Sequence, residues 1–321
     1  MPAPFTAASV TVRAPATSAN LGPGYDSFGL ALSRYDEVRA RVRSGGLDVR
    51  VSGDGAEELA LDEAHLVVRA MQAAFDRLGA QPPGLELDCH NAIPHGRGMG
   101  SSAAAIVSGI ELARGLSTDG RARLGDADAI ALAAELEGHP DNVAACLLGG
   151  LSIAWLAGGR GTAVRAASAE QLAGIRPVLF IPAERSATKQ ARAVLPEQVP
   201  HADAAFNAGR AGLLVVALTA RPELLLAATE DRLHQQYRAA GMPASAALIA
   251  ALRSRGIAAA VSGAGPSVLA LPTAEQSGGM HSGGIAGLGM RRARGLRRRA
   301  QLGSLSTGRH RLSRGPAGGL P

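Results

Sequence analysis

Apolar residues alternate with polar ones at Val10, Val12 and Ala14, at Val38, Ala40 and Val42, and at Leu47, Val49 and Val51. This two-residue period belongs to half-buried strands, and together the three runs predict an N-terminal antiparallel sheet. The period then changes. Leu66, Val67, Ala70, Met71, Ala74, Phe75 and Leu78 recur at helical spacing with Gly79 as a stop, and Leu85, Leu87 and Cys89 alternate again as a strand. Proline-free helical patterns follow over 102–116 and 126–137, and Pro140 is placed to open another helix. Further strands are predicted at 151–156, 178–181 and 268–271, and further helices at 188–195, 203–219, 223–234 and 245–255. Strands and helices without a regular βα alternation predict an α+β layered fold rather than a doubly wound one. No internal repeat interrupts the series.

The pattern fails after Pro272. Residues 275–321 hold 12 glycines, and their few apolar residues follow neither period, so the segment is expected to be disordered, with too little surface to bury against its ordering entropy. Charge changes at the same place. The chain carries a net charge of +6, the balance of a nucleic-acid binder at first sight, but nine arginines and one acid fall in 275–321. The remaining residues are mildly acidic, with 24 bases against 26 acids, which argues against a nucleic-acid partner. An aromatic content of 3% leaves few stacking platforms for bases. The longest apolar stretch, 211–218, is far short of the ~20 residues a membrane span needs, so no membrane association is expected. Two cysteines, Cys89 and Cys146, and an opening segment with neither a basic nor an apolar region suit a reducing cytoplasm.

Four segments carry candidate chemistry. Pro94-His95-Gly96-Arg97-Gly98-Met99-Gly100-Ser101-Ser102-Ala103-Ala104 follows a strand and runs into a helix. Its glycines let backbone N–H groups approach an anion, Ser101 or Ser102 can cap the helix, and the helix dipole favours phosphate there. It has no lysine and is not a Walker A loop. Glu135-Leu136-Glu137-Gly138-His139-Pro140-Asp141-Asn142 places acids at a helix end, where the dipole opposes them. Magnesium, which takes one or two carboxylates together with hydroxyl and phosphate oxygens, is one reason for them and a solvated helix face is another. Val261-Ser262-Gly263-Ala264-Gly265-Pro266-Ser267 is a small-residue loop between a helix and a strand, which by itself reads as turn punctuation. Ala16-Thr17-Ser18-Ala19-Asn20-Leu21-Gly22-Pro23-Gly24-Tyr25-Asp26 is a polar loop directly after a strand.

In order and spacing these segments resemble the three motifs of the GHMP kinase superfamily, and the segment beginning Ala16-Thr17-Ser18-Ala19-Asn20, together with Glu137-Gly138-His139-Pro140-Asp141-Asn142, is similar to its homoserine kinases. The resemblance covers about residues 9–271. It implies a two-domain fold, with a ribosomal-protein-S5-like N-terminal domain over 1–155 and a C-terminal α/β sandwich of ferredoxin-like form over 156–274. Relatives add another helix and a final strand after the strand at 268–271, and residues 275–321 are expected to supply neither. Their composition reads as an out-of-frame end or as a genuine extension.

The resemblance further implies transfer of the ATP γ-phosphate to the side-chain hydroxyl of L-homoserine, on the route to threonine. The runner-up is another GHMP kinase, such as a mevalonate or phosphomevalonate kinase. Residues 94–104, Gly263 and Gly265 would bind ATP. Asn20, Asp26, Asn142, Arg192 and Arg238 would bind homoserine, Asp26 at its ammonium group and the two guanidinium groups at its carboxylate. Ser102 and Glu137 would hold Mg2+, with Ser101 and Glu135 as their substitutes. Asp141, with Asn142, is the candidate catalytic residue. Lys189 is the sole lysine of the chain and lies in the Arg192 segment, so Asp141 is expected to orient or weakly deprotonate the hydroxyl without a lysine partner. A homodimer is among the assemblies the resemblance allows.

Overall fold

The computed structural model describes residues 4–172, 174–185, 188–279, 291–292 and 306–308. Strands β1 (Val10–Asn20), β2 (Gly24–Val42) and β3 (Gly46–Gly53) lead into α1 (Leu66–Leu78) and β4 (Gly84–Asn91). Four helices follow, α2 (Ser101–Leu116), α3 (Gly120–Arg123), α4 (Asp126–Glu137) and α5 (Asp141–Leu148), and then the hairpin β5 (Leu151–Ala157) and β6 (Arg160–Ala167). The 19-residue β2 organises the sheet. It pairs with β1 along its length, with β4 over its second half and with β5 through Phe28, Gly29 and Leu30.

The helical stripe of α1 matches its sequence pattern: Val67, Val68, Ala70, Met71, Ala74, Phe75 and Leu78 are all buried. Phe75 is met edge-on by Phe5, with ring centroids 5.6 Å apart, and burying a ring of this kind contributes about 1.5–3 kcal/mol. Among the strands the expectation of an all-antiparallel arrangement fails at one place. β3 and β4 are parallel, Leu47 lying opposite Leu85 and Val51 opposite Cys89, because α1 intervenes as a crossover where a hairpin would have reversed the chain.

The second half begins with β7 (Val178–Ile181), α6 (Thr188–Ala193) and α7 (His201–Thr219). It continues through α8 (Leu225–Ala228), α9 (Gln235–Arg238), α10 (Pro243–Arg253), β8 (Ala259–Val261) and β9 (Val268–Ala270). Leu248 and Leu252 of α10 pack on Val178, Phe180 and Val268 of the small sheet. The helix expected over 223–234 is broken after Ala228. The Asp231 carboxylate accepts the backbone N–H groups of Leu233, His234 and Gln235, a local competitor of helix continuation.

Most of the disordered segment expected at 275–321 lies outside the described residues. Within it, α11 (Ala274–Gly279) follows Pro272 and Thr273, β10 (Arg291–Arg292) adds to the edge of β7, and β11 (Ser306–Gly308) pairs with β1. A helix and two short strands therefore stand where none was expected. The overlooked signal is a capping box: Thr273 Oγ1 accepts the Gln276 N–H at 3.3 Å, and Gln276 Oε1 accepts the Thr273 N–H at 3.0 Å. No helix among the described residues is long and apolar enough to cross a membrane. Both cysteines are buried and unpaired.

Candidate active site

The segment expected to be a polar loop, 16–26, is instead the end of β1, a tight turn and the start of β2. Thr17, Ser18 and Asn20 are buried in it. Polar side chains can be buried here because each is paired. Thr17 Oγ1 donates to Asn142 Oδ1 at 2.8 Å, and Ser262 Oγ accepts from Ser18 Oγ at 2.9 Å while its own hydrogen goes to the Gly98 carbonyl. Asn20 Nδ2 donates to the Gly263 carbonyl at 2.8 Å, while Asn20 Oδ1 accepts the Asp26 N–H at 2.9 Å. The turn thus fastens three distant segments to one another.

The glycine loop lies beside it. Gly96, Gly98 and Gly100 have φ of 64°, 67° and 68°, and neither Arg97 nor Met99 between them has positive φ. Such alternation turns successive N–H groups toward one concavity, the shape of an anion nest. The serines do not cap the helix as expected. Gly100 is the N-cap of α2 with no side-chain hydrogen bond, so no side chain claims the first-turn N–H groups, which remain available to an anion. Ser102 turns aside and donates to Glu137 Oε1 at 2.6 Å.

The small-residue loop, which joins the strands β8 and β9 rather than a helix and a strand, packs directly on the glycine loop. Ser262 Oγ contacts the Gly98 carbonyl oxygen at 2.6 Å. A Cβ at Gly98 would lie 2.1 Å from the Ser262 carbonyl oxygen, so the close approach requires glycine in addition to the positive φ. The Arg97 guanidinium holds the carbonyls of Pro182 and Ala183 and ties the loop to the second half of the chain.

These segments surround a cleft of about 370 Å3. Its wall includes residues 94–102, Glu137, Asp141 and Asn142, together with Asn20, Asp26, Arg192, Arg238, Gly263 and Ala264. Ala103 and Ala104 point into the core instead, and Gly265 packs behind Gly98. Arg192 grips Asp26 through two hydrogen bonds of 2.8 Å and reaches the Tyr25 hydroxyl at 3.0 Å. Arg238 is buried and donates to the carbonyls of Ala191 and Gly263. Burial and the nearby Asp26 raise the Tyr25 phenol above its usual range.

Glu137 and Glu135 separate cleanly. Glu135 is exposed and paired with Arg77 at 2.9 Å on the surface, whereas Glu137 faces the cleft, where burial pushes its carboxyl above the usual range against the opposing hydrogen bond from Ser102. One carboxylate and one hydroxyl form a hard-oxygen pair that fits Mg2+, which completes its shell with phosphate oxygens and water. No group of three or more His, Cys, Asp or Glu side chains suited to a metal occurs among the described residues, so the chain alone does not supply a closed cage.

Asp141 is buried, and its Oδ1 accepts from the Asn142 N–H and meets His139 Nδ1, both at 2.7 Å. Burial pulls the His139 imidazole down, but its hydrogen bond to Asp141 and the charges of Asp141 and Glu137 outweigh this and hold it above the usual value. His139 and Asp36 were given no role from the sequence, and both line the cleft. Asp36 accepts the N–H groups of Ala92 and Ile93 at 2.6 and 2.8 Å, fixing the entry to the glycine loop.

Burial raises the Asp36 carboxyl to about 6 from 3.8, against the two N–H bonds. The folded state then binds this proton more tightly than the unfolded chain, so the Asp36 contribution falls as pH rises from about 4 to about 6, by at most about 3 kcal/mol. In denaturant titrations at pH 4.5 and 7, Asp36→Asn should lessen that loss of stability with rising pH. An identical change in wild type and variant would show that Asp36 is not its source.

The chain is similar to known proteins over most of its length. Residues 65–150 match the GHMP kinases N terminal domain and residues 214–278 the GHMP kinases C terminal domain. A homoserine kinase of Streptomyces coelicolor is 57% identical over 271 residues, 84% of this chain and 87% of that one. One of Rhodococcus erythropolis is 50% identical over 271 residues, 83% and 86% of the two chains. Among solved structures, homoserine kinase of Cytophaga hutchinsonii superposes with a TM-score of 0.75 at 26% identity, over 93% of this chain and 94% of that one. The mevalonate kinase of L. major in complex with R-mevalonate superposes with a TM-score of 0.61 at 16% identity, over 91% and 98%, and shares the fold.

Proposed function

From a chain that belongs to the homoserine kinases of the GHMP kinase family, we propose the reaction at this cleft: transfer of the γ-phosphoryl group of ATP to the side-chain hydroxyl of L-homoserine. The product is O-phospho-L-homoserine, on the route to threonine. The single observation that carries the reading is the Asp26–Arg192 pair, which lines the same cleft as Arg238. A carboxylate and guanidinium groups side by side complement the ammonium and carboxylate of an amino-acid zwitterion. Mevalonate carries a carboxylate but no ammonium, and would bring Asp26 no cation beyond Arg192.

In this reading the nest of Gly96, Gly98 and Gly100 receives the phosphates of ATP at the N-terminus of α2. Ser102 and Glu137 hold Mg2+, which when bound neutralises charge on the phosphate oxygens. Asn20 stiffens the turn that carries Asp26. Asn142, itself held by Thr17 at 2.8 Å, contacts the substrate hydroxyl. The hydroxyl oxygen forms its bond to the γ-phosphorus as the bond to the β-phosphate oxygen breaks, and ADP departs. Such transfers rest on positioning and charge stabilisation, so no strong base is needed. Asp141, turned toward its neighbours by His139 and the Asn142 N–H, orients the hydroxyl and takes up its proton weakly.

The chemistry is tested by 31P spectroscopy of the product, which should show an alkyl phosphate monoester; inorganic phosphate alone would indicate ATP hydrolysis. Asp141→Asn should lower kcat roughly 10- to 100-fold, at or below the lower part of the range for full general-base catalysis. An undiminished rate would remove Asp141 from the chemistry. We assign the enzyme to the cytoplasm, where ATP and free amino acids meet. Support for a homodimer comes from the β5–β6 hairpin, whose Trp155, Leu156 and Val164 are exposed.

A further inference from the structure

His234 is fully enclosed, with no solvent exposure and no place among the cleft-lining residues. Its Nε2 lies 2.8 Å from the Gly22 carbonyl oxygen, and its Nδ1 lies 3.2 Å from Nη1 of Arg238. A carbonyl only accepts and a guanidinium only donates. The ring must therefore carry its hydrogen on Nε2 and present a lone pair at Nδ1, a single neutral tautomer set by its two neighbours.

The rest of the surroundings hold it there. Asp231 Oδ2 lies 3.6 Å from Nε2, and the same carboxylate fastens the backbone N–H groups of 233–235. The Tyr25 ring tilts against the imidazole, with centroids 5.3 Å apart and 33° between planes, and Tyr25 in turn accepts from Arg192. Asp231, Tyr25, Asp26 and Arg238 are the charged or titratable groups that bear on the imidazole. Burial holds it below its ordinary value, in keeping with a neutral ring.

Arg238 is thereby taken up from one side. Its Nε donates to the Ala191 carbonyl and its Nη1 to Gly263 and His234, while Nη2 has no hydrogen-bond partner among the described residues. We propose that His234 is a positioning residue for substrate binding: it accepts from Nη1 of Arg238 and so leaves Nη2 aimed into the cleft for the substrate carboxylate. The proposal rests on the amino-acid reading of the cleft given above. It assigns His234 an effect on the acceptor substrate and none on the nucleotide, since the glycine loop lies outside this set of contacts.

Two substitutions separate the ring's two bonds. His234→Gln supplies a donor near the Nε2 position for Gly22 but no acceptor near Nδ1, whereas His234→Asn places a carboxamide oxygen near Nδ1. Steady-state kinetics with both substrates should show H234Q raising the KM for homoserine roughly 10- to 100-fold, the scale of one hydrogen bond to a charged group. The KM for ATP should stay within about twofold, and H234N should recover most of the loss, since its carboxamide can still accept from Arg238. An unchanged homoserine KM in H234Q, an equal rise for both substrates, or H234N no better than H234Q would overturn the proposal. A wild-type enzyme inactive on homoserine would overturn the amino-acid reading as well; wild-type activity without the split in the variants removes only the role of His234.

Discussion

Glu137→Ala is expected to lower kcat/KM roughly a thousandfold, because a metal acting on phosphoryl oxygens supplies several kcal/mol of stabilisation and each decade of rate corresponds to about 1.4 kcal/mol. Among the described residues Glu137 is the only carboxylate hydrogen-bonded to Ser102, and burial disfavours its charge unless a cation compensates. Two readouts isolate the cause. The Mg2+ concentration needed for half-maximal rate should rise in Glu137→Ala, while Glu135→Ala, which removes only an exposed pair with Arg77, should change neither rate nor Mg2+ dependence. A large loss of rate with unaltered Mg2+ dependence would mean that Glu137 serves the site in some other way.

Gly98→Ala should damage both fold and nucleotide binding. A left-handed φ of 67° costs a residue with a Cβ about 1–2 kcal/mol. The new methyl group would also meet the Ser262 carbonyl oxygen at 2.1 Å and the Gly265 carbonyl oxygen at 2.9 Å. Those are backbone atoms, so a loop must move, at a cost of about 1–3 kcal/mol typical of overpacking. We expect a total loss of about 3 kcal/mol together with a rise in the KM for ATP of about tenfold or more, since the displaced N–H groups are the ones facing the phosphates. Gly138→Ala is the control. It has φ of 88° but no atom within 4 Å of the added carbon, so it should show the conformational cost without the clash. Equal destabilisation by the two substitutions would show that contact with the Ser262 loop is not what makes Gly98 necessary.

Much of this architecture is legible in local pattern. The α1 stripe from Val67 to Leu78 and the strand of Leu85, Leu87 and Cys89 are where their periods place them, because one face of each is buried on one continuous core. The backbone of the glycine segment is legible too, since the positive φ at Gly96, Gly98 and Gly100 is a conformation that the residue type itself supplies.

What escaped the pattern depends on distant partners. The segment 16–26 is rich in polar residues and turn formers, yet it lies buried in β1 and β2 because Thr17, Ser18 and Asn20 find Asn142, Ser262 and Gly263 more than a hundred residues away. The parallel pairing of β3 with β4 depends on how α1 returns the chain, which alternation cannot encode. The break before His234 and the start of α11 were readable in principle. Asp231 and the Thr273–Gln276 capping box are local signals, outweighed at Asp231 by the apolar run through Leu224, Leu225 and Leu226 and at Thr273 by the glycines that follow.

The account turns on an amino-acid acceptor held at Asp26, Arg192 and Arg238. It is tested most directly by comparing kcat/KM for L-homoserine, mevalonate and phosphomevalonate in an assay coupled to ADP release. L-homoserine should be preferred by several orders of magnitude, with its KM rising steeply in Arg192→Ala and Arg238→Ala. A preference for mevalonate or phosphomevalonate, or a homoserine rate indifferent to both arginines, would contradict it.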